Sequence, residues 1–243
     1  MPRRHKPEKA YKNMRFLNSD DARTIRILSE YQEPLSRLRN HKVNSTILFL
    51  GSSRATPRGR GKILTPYYWQ AEELAFRLAK WAMTLKLRGK SFVICTGAGP
   101  GIMEAANRGA QRAGGVSIGM NISIPHEQYP NPYISRELSF MFHYFFMRKF
   151  WLINLARAAV AFPGGYGTLD ELFEILTLLQ AEKISKRKFR FFLYGEDYWK
   201  KVLQLDFLAK AGAISPEDLK LFTTCSSPAE AFRLLKAHLL DTF

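Results

Sequence analysis

The chain has 243 residues, of which 46% are hydrophobic, and this is enough to build the core of one ordinary α/β domain. Because no run of about twenty apolar residues occurs, the sequence excludes a membrane-spanning helix. The formal net charge of +16 fits nucleic-acid binding, attraction of a phosphorylated substrate, or solubility alone. Much of this charge lies in residues 1–15 and 183–190 and not along one aromatic-interleaved groove, which argues against nucleic acid as a partner.

Cysteine and histidine usage indicates a reduced compartment and no metal site. Cys95 and Cys225 are far apart and form no C-x-x-C pair. No two histidines are four residues apart, so no zinc site is predicted. The start of the chain lacks an apolar signal core, and we therefore expect a cytoplasmic protein. We expect no metal or other cofactor.

The first 42 residues are predicted to form an extension that precedes a single domain at residues 43–243. Residues 1–18 are basic and unpatterned, as in a mobile tail. Ser19 and the two aspartates after it could cap a helix that ends near Glu30, and Pro34 is expected to begin a second short element. The extension could cover one edge of the fold or contribute to a subunit interface.

The first predicted strand, residues 45–50, leads into a long polar loop at residues 51–65. The strand is apolar, as expected for a buried parallel strand. The loop has two interpretations: a solvated surface loop, or a wall or lid whose cations help to hold a phosphate. Its cations are Arg54, Arg58, Arg60 and Lys62.

A glycine-rich turn at residues 96–101 follows the second predicted strand, residues 91–95. Before that strand, residues 67–87 are predicted to form a long amphipathic helix that ends at Gly89. The turn lacks the dinucleotide-binding spacing, so we predict a site for part of one mononucleotide. Glycine permits a ligand to approach the backbone closely. The glycines of this turn are Gly97, Gly99 and Gly101.

Glu104 lies in the first turn of the next predicted helix, residues 102–113. Its charge could do no more than stabilise the N-terminus of that helix, by about 0.3–1 kcal/mol. A third strand is predicted at residues 116–120. The proline-punctuated segment at residues 121–137 is expected to close over a ligand.

An aromatic-rich helix that extends to about Ala156 carries two cations in apolar surroundings. It follows a predicted strand at residues 138–142, and its aromatic side chains fit the core or a dimer seam. The two cations are Arg148 and Lys149. Because burying an unpaired guanidinium is costly, Arg148 needs an anionic partner, which is either Glu171 or a substrate phosphate.

The sequence PGGYGTLDE, residues 163–171, lies between an apolar strand at residues 158–162 and a helix predicted at residues 169–181. Backbone N–H groups at such a junction converge and favour an anion, and phosphate is the natural one. The groups expected to bind it belong to Gly164, Gly165, Gly167 and Thr168. Thr168 and Glu171 also have the spacing of a capping box, so Glu171 either caps the helix or lies beside the phosphate and reaches the sugar of a nucleotide.

The remaining elements complete an alternation of strands and helices. Strands are predicted at residues 189–194 and 221–225, and helices at residues 197–211, near residue 216 and at residues 228–240. This alternation predicts a Rossmann-like, doubly wound parallel sheet flanked by helices, with ligands at the carboxyl ends of the strands.

Four of these motifs together resemble the LOG ("Lonely guy") family, which is also labelled lysine decarboxylase-like. PGGYGTLDE matches the PGGxGTxxE signature of that family, and Arg148 with Lys149 matches an Arg-Lys pair fifteen residues before it. Residues 96–110 resemble the first glycine-rich turn and helix of the family. The other matches are Gly51, Ser52 and Ser53 after the first strand, Asn131, Pro132 and Tyr133, and Gln180.

The resemblance implies a nucleotide-binding catalytic domain that hydrolyses the N-glycosidic bond of a nucleoside 5′-monophosphate, giving free base and ribose 5-phosphate. It implies that Arg148 and Glu171 are the catalytic pair and suggests a homodimer. We expect Arg148 to lower the pKa of Glu171 or to contact the substrate. No lysine stands where a pyridoxal Schiff base can be argued, so the decarboxylase label gains no support. The expected substrate-binding residues are Gly51, Ser52, Ser53, Gly97, Gly99, Gly101, Glu104, Lys149, Gly164, Gly165, Gly167 and Thr168.

The sequence departs from the family just before Arg148. Many short members have Met-His where this chain has Phe145 and Phe146, which favours AMP or another purine monophosphate over a cytokinin riboside monophosphate. A different class of protein stays open. A non-catalytic carrier of a phosphorylated cofactor on the same fold would share the glycine turns but would not need an arginine and a glutamate together.

Overall fold

The structure is a computed structural model, and it describes residues 6–58, 63–86, 91–124 and 129–242. Three residues named in the sequence predictions, Arg60, Lys62 and Gly89, lie outside the described residues. The same is true of residues 1–5 of the predicted tail and of residues 125–128 in the segment expected to close over a ligand.

The strands of the described ranges form one sheet. They are β1 (Thr46–Leu50), β2 (Val93–Thr96), β3 (Ser117–Ile122), β4 (Ser139–Phe142), β5 (Ala156–Ala161), β6 (Arg190–Tyr194) and β7 (Phe222–Cys225). Their order across the sheet is β4-β3-β2-β1-β5-β6-β7, and every neighbouring pair is parallel. The prediction of a Rossmann-like, doubly wound α/β domain is confirmed.

Helices cover both faces of this sheet. They are α1 (Met14–Leu17), α2 (Arg23–Asn40), α3 (Thr65–Lys86), α4 (Ile102–Arg112), α5 (Phe145–Asn154), α6 (Tyr166–Gln180), α7 (Glu196–Val202), α8 (Leu205–Lys210) and α9 (Pro228–Thr242). The helix predicted at residues 197–211 is therefore divided into α7 and α8. One buried cluster packs α3, α4 and α9 against one face, and a second packs α5, α6 and α7 against the other. In the described ranges no helix has both the length and the apolar character needed to cross a membrane.

The order of the strands creates a crevice at the carboxyl ends of β1 and β5. After β1 the chain moves outward through β2, β3 and β4, and it then returns to β5 on the other side of β1. The helices that follow these two neighbouring strands, α3 and α6, lie on opposite faces of the sheet. The loops after β1 and β5 therefore separate, and open α/β sheets bind ligands in the gap at such a switch point.

The N-terminal extension contains one continuous helix where the sequence predicted two elements. Helix α2 passes through Pro34, which has no N–H to donate to the carbonyl of Glu30. That carbonyl instead accepts a hydrogen bond from Nε1 of Trp151 in α5, at 3.0 Å. The predicted break was wrong because a side chain from a distant helix satisfies the carbonyl that proline leaves unpaired.

Glu30 also connects the extension to the helix that carries Arg148. Its carboxylate accepts hydrogen bonds from the N–H groups of His143, at 2.7 Å, and Tyr144, at 3.2 Å, just before α5 begins. A carboxylate at this position satisfies free donors at the N-terminus of the helix. The extension thus packs against the main sheet domain, and the boundary between residues 42 and 43 stays a prediction.

Candidate active site

Three of the predicted site segments meet at the crevice between β1 and β5. Ser52, directly after β1, connects the two glycine turns. Its N–H donates to the carbonyl of Pro163 at 3.0 Å, and its own carbonyl accepts from the N–H of Ile102 at 3.1 Å. Residues 51–53, 97–101 and 163–167 therefore lie side by side at the carboxyl edge of the sheet.

Two glycines are required by this close approach. Gly101 has a φ of +72°, and a Cβ there would collide with the carbonyl oxygen of Ser52. A Cβ on Gly164 would collide with the hydroxyl of Thr168 and would lie 3.0 Å from the nitrogen of Ser52. A larger residue at either position would push the segments apart.

A buried polar network lies behind the first glycine turn. The hydroxyl of Thr96 donates to Oδ1 of Asn107 at 2.8 Å and accepts from the N–H of Ala98 at 3.0 Å. Nδ2 of Asn131 lies 3.0 Å from the same Oδ1 and 3.1 Å from the carbonyl oxygens of both Ala98 and Gly99. These contacts hold Ala98 at a φ of +67°, a left-handed conformation that favours glycine.

The second glycine turn passes directly into α6. Gly165 is the N-cap residue of this helix, and because glycine has no side chain it makes no side-chain capping hydrogen bond. The helix begins at Tyr166, three residues earlier than predicted, so Thr168 lies inside its first turn and is buried. The predicted capping box of Thr168 and Glu171 is therefore wrong, because Glu171 lies in the second turn and pairs elsewhere.

Glu171 pairs with Arg148 in a nearly buried ion pair. Nη1 of Arg148 lies 3.0 Å from Oε1 of Glu171, and both side chains are about nine-tenths buried, with exposures of 11% and 12%. Nε of Arg148 donates to the carbonyl of Met120 at 2.9 Å. The guanidinium also lies against Gly97, since a Cβ at that glycine would collide with Nη2. Arg148 thus spans from the first glycine turn to the helix of the second.

Burial and charge act in opposite directions on Glu171. Burial raises the pKa of Glu171 above its usual value, and the adjacent Arg148 guanidinium partly offsets the rise. The expectation that Arg148 would lower this pKa holds for its own contribution, but the net direction is upward because desolvation is the larger effect. A raised carboxyl pKa is a common property of catalytic acids and bases.

Lys149 points away from this pair. Its Nζ lies 2.7 Å from Oδ2 of Asp170 and 3.4 Å from Oε2 of Glu174, on the outer side of α6. These two carboxylates, Lys149 and the exposed rings of Tyr166 and Phe173 line an open groove. The contribution of Lys149 to substrate binding stays a prediction, and the structure brings it next to carboxylates and not next to the glycine turns.

Glu104 bonds to a tyrosine, and the two described cations of the loop after β1 are exposed. Oε1 of Glu104 accepts a hydrogen bond from the hydroxyl of Tyr68, at 2.7 Å, and burial together with this bond raises the pKa of Tyr68. Arg54 and Arg58 are exposed, and the backbone N–H of Arg54 donates to the hydroxyl of Ser52 at 3.1 Å. In the described ranges no three His, Cys, Asp or Glu side chains come together in a way that could hold a metal ion.

A family model described as "Possible lysine decarboxylase" matches residues 103–235, which is just over half of the chain. The chain belongs to this family. It is the LOG family that the sequence motifs resemble, and the matched range contains both Arg148 and Glu171. The first glycine turn lies just before the matched range. No curated protein matches the chain.

Two solved structures show how far the likeness of this LOG-family chain to known folds extends. The molybdenum cofactor binding protein from Rippkaea orientalis has 20% identity and a TM-score of 0.50, over 80% of this chain and 96% of that one. The Moco carrier protein from Chlamydomonas reinhardtii has 19% identity and a TM-score of 0.53, over 81% of this chain and 98% of that one. At this identity the likeness establishes the shared fold.

Two supporting contacts could not be found from the sequence. The carbonyl of Met120 fixes Arg148, but every residue has a carbonyl and the sequence marks none of them. The hydroxyl of Tyr198 donates to the carbonyl of Gly164 at 2.9 Å, although 34 residues separate them. Neither contact has a local sequence signal, because both depend on which strands become neighbours.

Proposed function

We propose that this chain hydrolyses the N-glycosidic bond of a purine nucleoside 5′-monophosphate, such as AMP or a cytokinin riboside monophosphate, releasing free base and ribose 5-phosphate. The observation that carries the proposal is the ion pair of Arg148 and Glu171, 3.0 Å apart, in a crevice lined by two glycine turns. Membership of the LOG family supports the same activity. The fold by itself would not, since related folds host many functions.

The glycine turns are proposed to bind the 5′-phosphate. The first N–H groups of α6, which begins at Tyr166, have no acceptor within their own helix. They point out of the helix N-terminus, where the helix dipole also favours negative charge. The backbone of Gly164, Gly165 and Gly167 would complete this phosphate site. Ser52, which follows β1, would lie next to it.

Glu171 is proposed to act at the ribose. As the bond from C1′ to the base nitrogen breaks, its electron pair leaves with the base and positive charge develops on the sugar. A carboxylate nearby stabilises that charge and can accept a proton from the attacking water, whose oxygen forms the new bond to C1′. Glu171 then releases that proton and the departing base takes one up, so that a single water supplies the OH on C1′ and the H on the base. Arg148 occupies Oε1 of Glu171, which leaves Oε2 for the water or the sugar.

Base release from a panel of compounds tests this proposal. The purified chain is incubated with AMP, GMP, IMP, adenosine and NAD, and free base and ribose 5-phosphate are measured. We expect product from monophosphates only. Glu171→Gln should lower the rate by about 10²–10⁴-fold, the range for loss of a general acid or base. Glu182→Gln, the same change in the exposed turn after α6, is the matched control. No base from any monophosphate would refute the hydrolase proposal.

A non-catalytic carrier of a phosphorylated cofactor is the second candidate. The observation that favours it is the fold shared with proteins named as molybdenum cofactor carriers, at TM-scores of 0.50 and 0.53. A carrier would need the glycine turns but no arginine–glutamate pair. If a phosphorylated ligand binds, no bond is cleaved and Glu171→Gln binds as well as the wild type, this function replaces the first.

We also propose that residues 43–243 form the catalytic domain and that the protein acts as a cytoplasmic homodimer. Large apolar side chains protrude from α5 and from the start of α6: Phe145 and Phe146 are about half exposed, and Tyr166 is 93% exposed. Contiguous exposed apolar groups often mark an interaction surface. Analytical ultracentrifugation would measure the mass in solution. A monomer at micromolar concentration would argue against the dimer.

A further inference from the structure

We infer that Tyr198 and Asn131 orient the two glycine turns for anion binding, although neither residue belongs to a turn. Each donates hydrogen bonds to carbonyl oxygens of one turn from behind it. The inference rests on the proposed function to the extent that the anion is the phosphate of the ligand. It assigns to these side chains the role of positioning residues and not of catalytic residues.

Tyr198 supports the second turn. Its hydroxyl donates to the carbonyl of Gly164 at 2.9 Å, and the preceding carbonyl, of Pro163, accepts from the N–H of Ser52 at 3.0 Å. Two successive carbonyls at the start of the turn are thus bonded to groups of the protein. The N–H groups that follow, from Gly165 to the first turn of α6, lie beyond these bonded carbonyls.

Tyr198 is itself held firmly relative to the strand that leads into the turn. Its N–H donates to the carbonyl of Gly195 at 3.0 Å. The next residue, Trp199, donates from Nε1 to the carbonyl of Ala161, the last residue of β5, at 3.2 Å. Helix α7 is therefore bonded both to the end of β5 and to the turn that follows it.

Asn131 supports the first turn in the same way. Its Nδ2 lies 3.1 Å from the carbonyl oxygens of both Ala98 and Gly99, and its backbone N–H donates to the carbonyl of Ala98 at 2.9 Å. The side chain is about nine-tenths buried, with an exposure of 8%. Asn107, which is completely buried, accepts from the same amide and fixes its orientation.

The physical reason lies in the geometry of the peptide group. In a trans peptide the C=O and the N–H point in opposite directions, so a carbonyl held at the back of a turn leaves the N–H of the same peptide group at the front. For the carbonyls of Ala98 and Gly164 this N–H belongs to Gly99 and Gly165, whereas the carbonyl of Gly99 is followed by Pro100, which has no N–H. A carbonyl that rotated to the front would instead place its partial negative charge toward the anion. Preorganised N–H groups bind an anion without paying that reorganisation on binding.

The affinity of the full chain for ribose 5-phosphate tests this inference, because this compound carries the phosphate and has no glycosidic bond to cleave. Isothermal titration calorimetry compares the wild type with Tyr198→Phe and Asn131→Ala. The matched control is Tyr194→Phe, since the buried hydroxyl of Tyr194 has no hydrogen-bond partner among the residues that the structure describes. We expect Tyr198→Phe to bind about tenfold more weakly, as for loss of one hydrogen bond, and Asn131→Ala to lose more. Tyr194→Phe should bind like the wild type.

A second measurement separates positioning from a general structural role. If a monophosphate is cleaved, Tyr198→Phe should raise its KM with little change in kcat, and thermal unfolding should show the variant folded. Equal affinity of the wild type and Tyr198→Phe for ribose 5-phosphate would overturn the inference and leave the proposed hydrolase standing. Failure of the wild type to bind ribose 5-phosphate would also overturn the inference, whereas the base-release panel judges the hydrolase separately.

Discussion

The two glycine turns of the crevice have similar sequences but different supports. The first is backed by buried polar side chains, among them Asn107 and Asn131, which bond to one another and to the turn. The second accepts a hydrogen bond from the side chain of Tyr198, and it leads into a residue, Tyr166, that is 93% exposed. One turn is part of the core, and the other lies at the surface.

The first turn is therefore fixed by the core, whereas the second leads to the charged pair that is proposed to act on the substrate. A fully satisfied buried network stabilises one geometry, because breaking any member leaves the others unpaired in a medium of low dielectric constant. The second turn instead leads, within α6, to Glu171, whose partner Arg148 reaches it from α5. We therefore expect changes behind the first turn to lower stability and ligand affinity with little effect on kcat, and changes at Arg148 or Glu171 to lower kcat as well, and the following predictions test that division.

The largest effect is expected for Arg148→Met. It leaves Glu171 buried without its partner, and breaking a buried ion pair in this way costs about 3–5 kcal/mol in the free energy of unfolding. Urea unfolding at neutral pH measures it, and the cost should shrink at acidic pH as Glu171 takes up a proton. The double variant Arg148→Met/Glu171→Leu should recover most of the loss. A cost below about 1 kcal/mol would mean that the pair behaves as an exposed one.

A smaller effect is expected for Asn107→Ala behind the first turn. Removing this side chain leaves the hydroxyl of Thr96 and the amide of Asn131 with fewer partners, but each keeps another hydrogen bond, so the total cost should be about 1–3 kcal/mol. The free energy of unfolding should fall while kcat per folded molecule stays close to that of the wild type. A lower kcat without any loss of stability would contradict this division between the two turns.

The proposed hydrolase activity should be lost on acidification at a higher pH than an ordinary glutamate would give. Burial raises the pKa of Glu171, and the proposed mechanism needs its ionised form. The value of kcat/KM should therefore fall about tenfold per pH unit below that raised pKa. An acid limb at or below about 4.3, the usual value for glutamate, would contradict it.

The raised pKa of Glu171 also affects stability, and acidic pH, which lowers the proposed activity, raises stability. Between the ordinary and the raised pKa the folded state binds more protons than the unfolded state, so stability falls as pH rises through this window. The wild type should therefore lose stability relative to Glu171→Gln on going from acidic to neutral pH. Denaturant midpoints of both proteins at several pH values measure this difference.

The smallest effect is expected for Gly167→Ala in the first turn of α6. A Cβ there meets no atom of the described ranges within 4 Å, and alanine is favoured over glycine in a helix by about 1 kcal/mol, so the variant should be slightly more stable. The same methyl group would occupy space beside the proposed phosphate site and should weaken ribose 5-phosphate binding. Gly109→Ala in α4 is the contrasting control, because its Cβ would collide with the carbonyl of Glu72. Unchanged affinity in Gly167→Ala would place the phosphate elsewhere.

The parts of the site that sequence could predict are those encoded by nearby residues. The apolar runs and glycine-rich turns predicted a parallel sheet with its ligand site at the carboxyl ends of the strands. The apolar surroundings of Arg148 predicted an anionic partner, and the structure pairs it with Glu171, one of the two partners considered. These features are properties of the local sequence: runs of apolar residues, glycines, and a charge in apolar surroundings. They could therefore be recognised without the structure.

Sequence reasoning failed where the deciding partner comes from elsewhere in the fold. Pro34 was expected to begin a new element, but α2 continues through it. The indole N–H of Trp151 bonds to the carbonyl of Glu30, for which proline has no N–H to donate. Thr168 had the spacing of a cap, yet the helix begins at Tyr166 and Glu171 bonds to Arg148.

The sequence by itself therefore determined the class of fold, the two glycine turns and the need of Arg148 for an anionic partner. Only the tertiary structure decided that Lys149 faces Asp170 and not the crevice, that α6 begins directly after Gly165, and which side chains stand behind each turn. The reason is that hydrogen-bond and charge satisfaction is a requirement on the whole molecule. A local pattern can state that a partner is needed, but the packing of the strands and helices determines which group supplies it.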